Sequence, residues 1–302
     1  MSEDGQTETA ETAARGCSRP SGSARDARSL RAVCAEVCAR RELLLILVSR
    51  NLKIRYKQSV LGFFWSLLGP LLMIVVYAVF ASILKFNSGR PHYLQFLVVG
   101  IVTWQFLAMC LNDSLYAVMG NANLIKKTRF PRIILPLAMV LANLANFLLS
   151  WAVLLTYLVW MRLPFEHLWL LPFIILLQTC LCLGMALILS TANVFFRDTE
   201  HILGVGILAW FFLSPVFYPV SMQLDKLGEL GAASGALRYA AFLNPMTGIV
   251  WLYRRVLMST QTGDIAALAP GQLGISVAVC FALLLIGFVV FQTCEPRFGD
   301  EL

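Results

Sequence analysis

The chain has 302 residues, of which 59% are hydrophobic and only 14% are charged, whereas soluble proteins average about 25% charged residues. This composition excludes an ordinary soluble protein and indicates an integral membrane protein. The net charge of +7 does not favour a nucleic-acid partner, because most of the cations adjoin apolar runs and bear on membrane orientation instead. The eight cysteines are scattered and show neither metal-ligand nor disulfide spacing.

The chain begins with a polar tail that leads into a short basic segment. Residues 1–35 are rich in Ser, Ala, Gly, Arg and acidic residues and include no apolar run typical of a secretory signal, so we expect a disordered tail. Four cations then follow within eight positions: Arg50, Lys53, Arg55 and Lys57. In a helix, one face holds Leu45, Val48, Leu52 and Tyr56, and another holds Arg50, Lys53 and Lys57, which predicts an interfacial helix. A straight helical lead-in to the first span is the alternative.

Six charge-free runs are long enough to cross a bilayer, since each exceeds the ~18 residues that indicate a spanning helix. The predicted spans lie at about 60–84, 92–112, 133–161, 168–194, 202–222 and 268–293. An even number of spans places both termini on the same side of the membrane. The segments on that side carry about twice as many Lys and Arg residues as the opposite ones, which makes both termini cytoplasmic, including a short tail at 295–302.

The loop between spans 2 and 3 is short, basic and predicted to be cytoplasmic. Pro131 disfavours helical geometry at Phe130, so we expect a short helix that ends before this pair. Apolar side chains among cations suit the docking of a soluble partner, although an ordinary positive-inside loop would carry the same charges. The candidate docking residues are Asn121, Asn123, Leu124, Lys126, Lys127, Arg129, Phe130 and Pro131.

The segment between spans 5 and 6, residues 225–264, is too long for a turn and too apolar for a solvated loop. Asn244 and Pro245 are typical of a helix start, with Asn as the N-cap and Pro at the first helical position. An apolar stripe follows at helical spacing, which predicts a re-entrant hairpin beside a pore. Pro215 and Pro219 are expected to distort the end of span 5. The candidate outer-gate residues are Asn244, Pro245, Met246 and Tyr253.

Five ordered blocks between residues 40 and 294 resemble the permease subunit of type-2 ABC exporters, in the branch that exports O-antigen, capsule and teichoic-acid polysaccharides. The blocks are RYKQSVLGFFWSLLGPLL, GNANLIKKTRFPRIILPLA, ANVFFRDTEHIL, FFLSPVFYPV and LNPMTGIV. The resemblance implies an all-α transmembrane domain over 36–294, with six spans, an N-terminal interfacial helix, a coupling helix between spans 2 and 3, and re-entrant gate helices between spans 5 and 6.

The resemblance also implies partners and a location. We expect a homodimer in the inner membrane that binds two copies of an ABC ATPase subunit, contacts membrane lipids and moves a lipid-linked polysaccharide, with no role for nucleic acid. ATP and Mg would bind to the ATPase, and this chain would hold no cofactor or metal. The absence of a GxxxxGK[ST] motif from the sequence agrees with a permease that is not itself an enzyme.

Three other functions compete with polysaccharide export. A membrane glycosyltransferase would need paired carboxylates, and the nearest pair is Asp198 with Glu200 in a short turn. A proton- or sodium-coupled transporter usually needs acidic residues at membrane depth, and the predicted spans contain no charged residue. A type-2 permease for a lipid or a small drug is the alternative that stays open.

Aromatic side chains in the spans are candidates for the polymer path, because rings stack on the apolar C–H faces of sugars and still allow sliding. The candidate residues are Trp65, Tyr77, Trp104, Phe106, Phe211, Phe212, Phe217 and Tyr218. Packing against lipid is the alternative role for each of them.

The cations at 50–57 suit a second role in addition to orienting the first span. We hypothesise that Arg50, Lys53, Arg55 and Lys57 gather the anionic pyrophosphate of a lipid carrier, with Arg55 as the best single candidate because a guanidinium binds phosphate through two parallel bonds. Anchoring at the cytoplasmic headgroups is the simpler alternative.

The predicted topology can be tested with reporter fusions. Fusions at Lys85, Arg162 and Met222 should report an external location, and fusions at Lys127 and Asp198 a cytoplasmic one, because Lys and Arg concentrate in the cytoplasmic segments. A cytoplasmic signal from a fusion within 225–264 would contradict the six-span arrangement.

Overall fold

The computed structural model describes residues 30–56, 92–128, 130–160, 167–229, 238–258 and 270–301, together with eight isolated positions between 68 and 83. Within these ranges every regular element is helical, which confirms the all-α prediction for the described part of the chain. The predicted tail at 1–35 lies almost entirely outside it. So does most of the first predicted span, 60–84, whose described positions are helical.

The helices are numbered in chain order. They are α1 (Leu30–Ala39), α2 (Arg41–Tyr56), α3 (Tyr93–Leu115), α4 (Ala122–Lys127), α5 (Ile134–Trp160), α6 (Leu171–Phe195), α7 (Thr199–Leu213), α8 (Val220–Glu229), α9 (Pro245–Met258), α10 (Pro270–Cys294) and α11 (Phe298–Glu301). Short 3-10 turns lie at Met119–Asn121, Leu168–Leu170, Ala241–Leu243 and Glu295–Arg297.

Four helices are long and apolar enough to cross a membrane, and they correspond to predicted spans 2, 3, 4 and 6. They cover Tyr93–Leu115, Ile134–Trp160, Leu168–Phe195 and Pro270–Arg297. Each contains at least 23 residues, whereas about 20 helical residues cross the ~30 Å hydrocarbon core.

Helix α7 is shorter than the predicted span at 202–222. It has 15 residues and ends at Leu213, so at about 1.5 Å per residue it is roughly 22 Å long and does not cross the ~30 Å core alone. Residues 214–219 are not helical, and α8 begins at Val220. Pro215 and Pro219, which were expected to distort this end, lie within the non-helical stretch, where neither can supply a backbone N–H.

Helix α3 lies at the centre of the fold and contacts α5, α6, α7 and α9. Most of its side chains are buried. Helix α10 instead packs on α6 and leaves much of its surface exposed, including Leu285 and Val289. The α6–α10 contact is close because glycines face each other: a Cβ at Gly287 would collide with the backbone of Gly184. Small residues at such contacts are typical of membrane helix pairs.

Candidate functional site

The connection between α3 and α5, residues 116–133, is here called the inner loop after its predicted side. It contains the 3-10 turn Met119–Asn121 and α4, which ends at Lys127 with Thr128 in extended conformation. The short helix predicted ahead of Pro131 is therefore present.

In α4, the polar side chains are exposed and Ile125 is buried. Asn123, Lys126 and Lys127 are exposed, whereas Ile125 is only 7% exposed. The other predicted docking residues divide as follows: Leu124 and Phe130 are half-buried, Asn121 and Pro131 are buried, and Arg129 lies outside the described residues. A soluble partner would therefore meet a basic polar surface supported by apolar packing beneath it.

That packing forms what we call the inner cluster, in which several elements meet. Its buried members are Val33, Leu47, Val118, Ile125, Ile134, Leu135, Ala138, Leu187, Val194, Phe288, Phe291 and Phe298. Leu124 and Phe130 pack against the cluster from outside. Because α1, α2, the inner loop, α5, α6, α10 and α11 all contribute, the loop is packed against both the N-terminal and the C-terminal helices.

Hydrogen bonds fix the start of the inner loop. Arg50 of α2 donates from Nη2 to Asn121 Oδ1 at 2.7 Å, and Asn121 Nδ2 donates to the carbonyl of Ala117 at 2.8 Å. From α6, Asn193 Nδ2 donates to the carbonyl of Leu115 at 3.0 Å. Asn121 is thus a positioning residue beneath the exposed surface of the inner loop.

The C-terminal residues hold the other end of the inner loop. The backbone N–H of Arg132 donates to Glu295 Oε1 at 3.1 Å, and its guanidinium donates to the Glu295 carbonyl. The same guanidinium lies 5.9 Å from the ring centroid of Phe298, which is fully buried. Residues 295–301 of the predicted tail are therefore helical and are attached to the fold through Glu295 and Phe298.

A charge pair joins α2 to the inner end of α3. Arg55 and Asp113 form a salt bridge, with 26% and 33% of their side chains exposed. Asp113 Oδ2 also accepts a hydrogen bond from Asn143 Nδ2 of α5 at 2.8 Å. Two oppositely charged, partly desolvated groups with an additional hydrogen bond are held more firmly than a pair on the open surface.

These contacts bear on the four predicted interfacial cations. Arg50 and Arg55 contact side chains of the protein itself, Lys53 is exposed, and Lys57 lies outside the described residues. The headgroup role stays a prediction. The geometry assigns Arg50 and Arg55 at least a structural role, because they attach α2 to α3 and to the inner loop.

The described residues 214–229 and 238–258 are here called the outer hairpin after their predicted side. They contact the start of α3, the end of that helix opposite the inner loop. Helix α9 begins at Pro245 as predicted, and the Oδ1 atom of Asn244 accepts a hydrogen bond from the N–H of Met246 at 3.1 Å. The same atom accepts from Trp210 Nε1 of α7 at 2.8 Å, while Asn244 Nδ2 donates to Ser214 Oγ at 2.9 Å. Asn244 therefore caps α9 and attaches it to α7.

Two of the predicted gate residues point into the packed core. Met246 and Tyr253 are both fully buried. Tyr253 donates its hydroxyl hydrogen to Gln178 Oε1 of α6 at 2.9 Å, and Gln178 Nε2 donates to the carbonyl of Thr103 of α3 at 2.8 Å. This chain of hydrogen bonds joins α9, α6 and α3 through the buried Tyr253 hydroxyl. The gate role of Tyr253 stays a prediction.

Arg254 is a residue that the sequence did not single out as functional. It belongs to α9 and is only 4% exposed. Its guanidinium donates to the carbonyl oxygen of Pro215 at 2.7 Å, to that of Val216, and to that of Phe96 at 3.3 Å. The helical spacing of the apolar residues in α9 predicts that they are buried. It does not predict that Arg254 is buried, because the carbonyls that bind Arg254 belong to the non-helical residues after α7.

The predicted channel aromatics separate into two groups. Trp104 contacts Trp210 and Phe211 in edge geometry, with ring centroids 6.1 and 5.4 Å apart. Phe211, Phe212, Phe217 and Tyr218 continue this group through successive ring contacts.

Phe106 belongs elsewhere. It is 2% exposed and stacks on Phe147 of α5 at 4.4 Å, which places it in the core. Trp65 and Tyr77 lie outside the described residues.

The geometry can be compared with known proteins. A protein-family model described as the ABC-2 type transporter matches residues 42–258, more than two thirds of the chain. The chain belongs to the ABC-2 type transporter family. The matched range of this ABC-2 chain includes α2 except Arg41, the inner loop, the aromatic group and the outer hairpin.

Curated relatives align with this ABC-2 chain over nearly their full length. An O-antigen export system permease protein RfbA from Klebsiella pneumoniae is 32% identical over 263 residues, which cover 86% of this chain and 95% of the relative. Another protein of that name, from Myxococcus xanthus, is 31% identical over 263 residues, covering 87% and 96%.

The salt bridge between Arg55 and Asp113 predicts how exchanging the two charges changes the stability of this ABC-2 chain. Arg55→Asp and Asp113→Arg should each lower the thermal stability of the purified protein, because each places two like charges together in a partly buried site. The double variant should recover a coupling free energy of about 0.5–3 kcal/mol. Lys53→Asp, at an exposed position of the same helix, is the control.

The exchange also separates two roles of Arg55. If the double variant is no more stable than the worse single variant, the pair does not hold α2 to α3. If the double variant is stable but does not transport, the cation at position 55 has a further role, as the headgroup hypothesis expects.

Proposed function

We propose that this chain is the transmembrane subunit of an ATP-driven exporter that moves lipid-linked polysaccharide, such as O-antigen, capsule or teichoic acid, across the inner membrane. The observation that carries this proposal is the alignment with proteins named O-antigen export permeases over 86% of this chain and 95% of the first relative. An alignment of that length covers nearly the whole of both proteins and is not limited to one shared segment.

The proposed architecture has six spans within residues 36–294, flanked by a tail at each end, with both termini cytoplasmic. It is supported by the four long apolar helices, by the shorter apolar helix Thr199–Leu213 and by the charge-free run at 58–84. Two copies of the chain would enclose the path, and each would bind one ATPase subunit. ATP and Mg would bind to the ATPase subunits, so ATP hydrolysis is assigned to them.

We assign ATPase docking to the inner loop. Its exposed Asn123, Lys126 and Lys127 would meet an acidic surface of the ATPase, with Arg129 of the same loop as a further candidate. The half-buried Leu124 and Phe130 would add apolar contact at the margin. Movement of the loop would pass to α2 through Arg50 and to the C-terminal helices through the inner cluster, because these elements are packed against it.

The aromatic group at the outer end of α7 is the proposed contact with the sugar chain. Phe212 is 52% exposed, and Phe217 and Tyr218 are half-buried, so their rings are accessible to a passing polymer. Trp104 and Phe211 would support them from behind. Trp65 and Tyr77 would extend the path along the first span, and α9 with its cap Asn244 would close the path at its outer end.

At the inner membrane surface, the remaining interfacial cations would attract the anionic carrier. Lys53 is exposed, and Lys57 follows four positions later in the sequence. Each cation near an anionic leaflet contributes about 1 kcal/mol of attraction. Arg50 and Arg55 would contribute to the same field while holding α2 in place.

Deletion of the gene in its native host tests the proposed function. Surface polysaccharide should disappear while lipid-linked polymer accumulates inside the cell, because synthesis continues without export. Plasmid-borne wild-type protein is the control and should restore the surface polymer. An unchanged surface polysaccharide would contradict the proposal and favour export of a lipid or a small drug.

Charge reversal on the inner loop tests the docking surface. Lys126→Glu combined with Lys127→Glu should weaken copurification with the ATPase about tenfold, a free-energy difference of about 1.4 kcal/mol. Membrane insertion should be unchanged, since both side chains are exposed. Arg40→Glu with Arg41→Glu makes the same change of charge at exposed positions of the N-terminal helices. Equal ATPase binding by both double variants would contradict docking on the inner loop.

A further inference from the structure

The buried guanidinium of Arg254 lies where the chain is most irregular at the outer end of the bundle. Residues 214–219 follow α7 and are not helical. Their carbonyl oxygens therefore lack the donors that a continuing helix would supply, and Pro215 and Pro219 have no N–H of their own. Where water is scarce, such carbonyls need a donor from elsewhere in the protein.

Arg254 supplies that donor. It donates to the carbonyls of Pro215, at 2.7 Å, and Val216, and reaches that of Tyr218 at 3.4 Å. An arginine suits the task because its planar group carries five N–H donors in a fixed fork. The ammonium group of a lysine could not hold separate carbonyls in the same plane.

The same guanidinium also contacts α3. It donates to the carbonyl of Phe96 at 3.3 Å and lies over the Phe96 ring, with Cζ 3.4 Å from the centroid. One turn further along α3, Gly100 leaves the space that the contact requires. A Cβ at Gly100 would lie 2.6 Å from Arg254 Nη2 and would collide with the Val216 carbonyl oxygen.

Three parts of the chain therefore meet at the Arg254 side chain: α9, the non-helical residues 214–219 after α7, and α3. An arginine at this depth is unfavourable unless its donors are used. Here they join parts of the chain that are far apart in sequence. Removal of the guanidinium would leave several carbonyls without this donor and would release α9 from α7 and α3 at that point.

We propose that Arg254 is the positioning residue that keeps the outer hairpin closed against α3 and α7, so that the outer end of the path is sealed to small polar solutes when no polymer passes. The proposal rests on the proposed function, since it takes the hairpin to lie at the outer end of a transport path. The seal itself can be measured without polymer or ATP hydrolysis.

The experiment compares passive leakage through the purified permease–ATPase complex in liposomes. Entrapped carboxyfluorescein is followed in the absence of ATP, at matched amounts of inserted protein. Arg254→Lys retains the charge but loses the fork, and Gly100→Ala displaces the guanidinium without altering it. Each should raise the rate of dye release on the order of tenfold over wild type.

Two matched controls lie within the described residues. Arg255→Lys changes an exposed arginine next to Arg254 in the same helix. Gly274→Ala changes a helical glycine in α10 at which an added Cβ would meet no atom within 4 Å. Both controls should leak at the wild-type rate.

A second measurement covers the case in which a variant inserts poorly. Arg254→Ala, supplied with guanidinium ions in the buffer, should leak less than in an equal concentration of sodium chloride, because a free guanidinium can occupy the vacated site. A residue with only a general structural role would show no such preference.

The proposal is overturned if inserted Arg254→Lys and Gly100→Ala seal as well as their controls, or if guanidinium does not reduce the leak of Arg254→Ala. A failure of the proposed function would be seen separately, as an unchanged surface polysaccharide after gene deletion.

Discussion

The hydrocarbon core offers no water, so each polar group at membrane depth needs a partner within the protein. In the described structure, a few side chains each supply such partners to several helices. Gln178 joins α6 to the backbone of Thr103 and to the hydroxyl of Tyr253. Arg254 donates hydrogen bonds to the non-helical residues that follow α7 and to α3. These hydrogen bonds position α9 against α3, α6 and the non-helical residues 214–219.

At the end of the bundle that carries the inner loop, charged side chains attach the loop to other helices. Arg50 bonds to Asn121, and Arg132 bonds to Glu295, so both ends of the inner loop are attached to other parts of the permease. Ile125 is buried in the inner cluster between them. The exposed basic surface is therefore carried on a loop that is attached to α2 and to the C-terminal helices. In our account, this attachment converts a movement of the ATPase into a movement of the spans.

Local signals in the sequence predicted local structure well. Asn244 and Pro245 predict the start of α9 because an N-cap and a helical proline act within one turn, and Pro131 similarly predicts the end of α4. Contacts between distant residues could not be predicted from such signals. From the sequence alone, Arg254 would be expected to be exposed to solvent. It is buried because it donates to carbonyls about 40 residues earlier in the chain. Likewise, Trp104 and Phe106 differ by two positions yet lie in separate aromatic groups, because α3 is surrounded by helices on several sides.

We expect α2 and the inner loop to behave as one body during the ATP cycle. Double electron–electron resonance can measure the distance between spin labels at Glu42 of α2 and Asn123 of α4, both exposed, in the permease–ATPase complex. A third label on the ATPase reports whether the complex responds to a hydrolysis-resistant ATP analogue. Our account predicts that the analogue changes the distance from the ATPase to Asn123 and leaves the distance from Glu42 to Asn123 unchanged. A clear shift between Glu42 and Asn123 would contradict it.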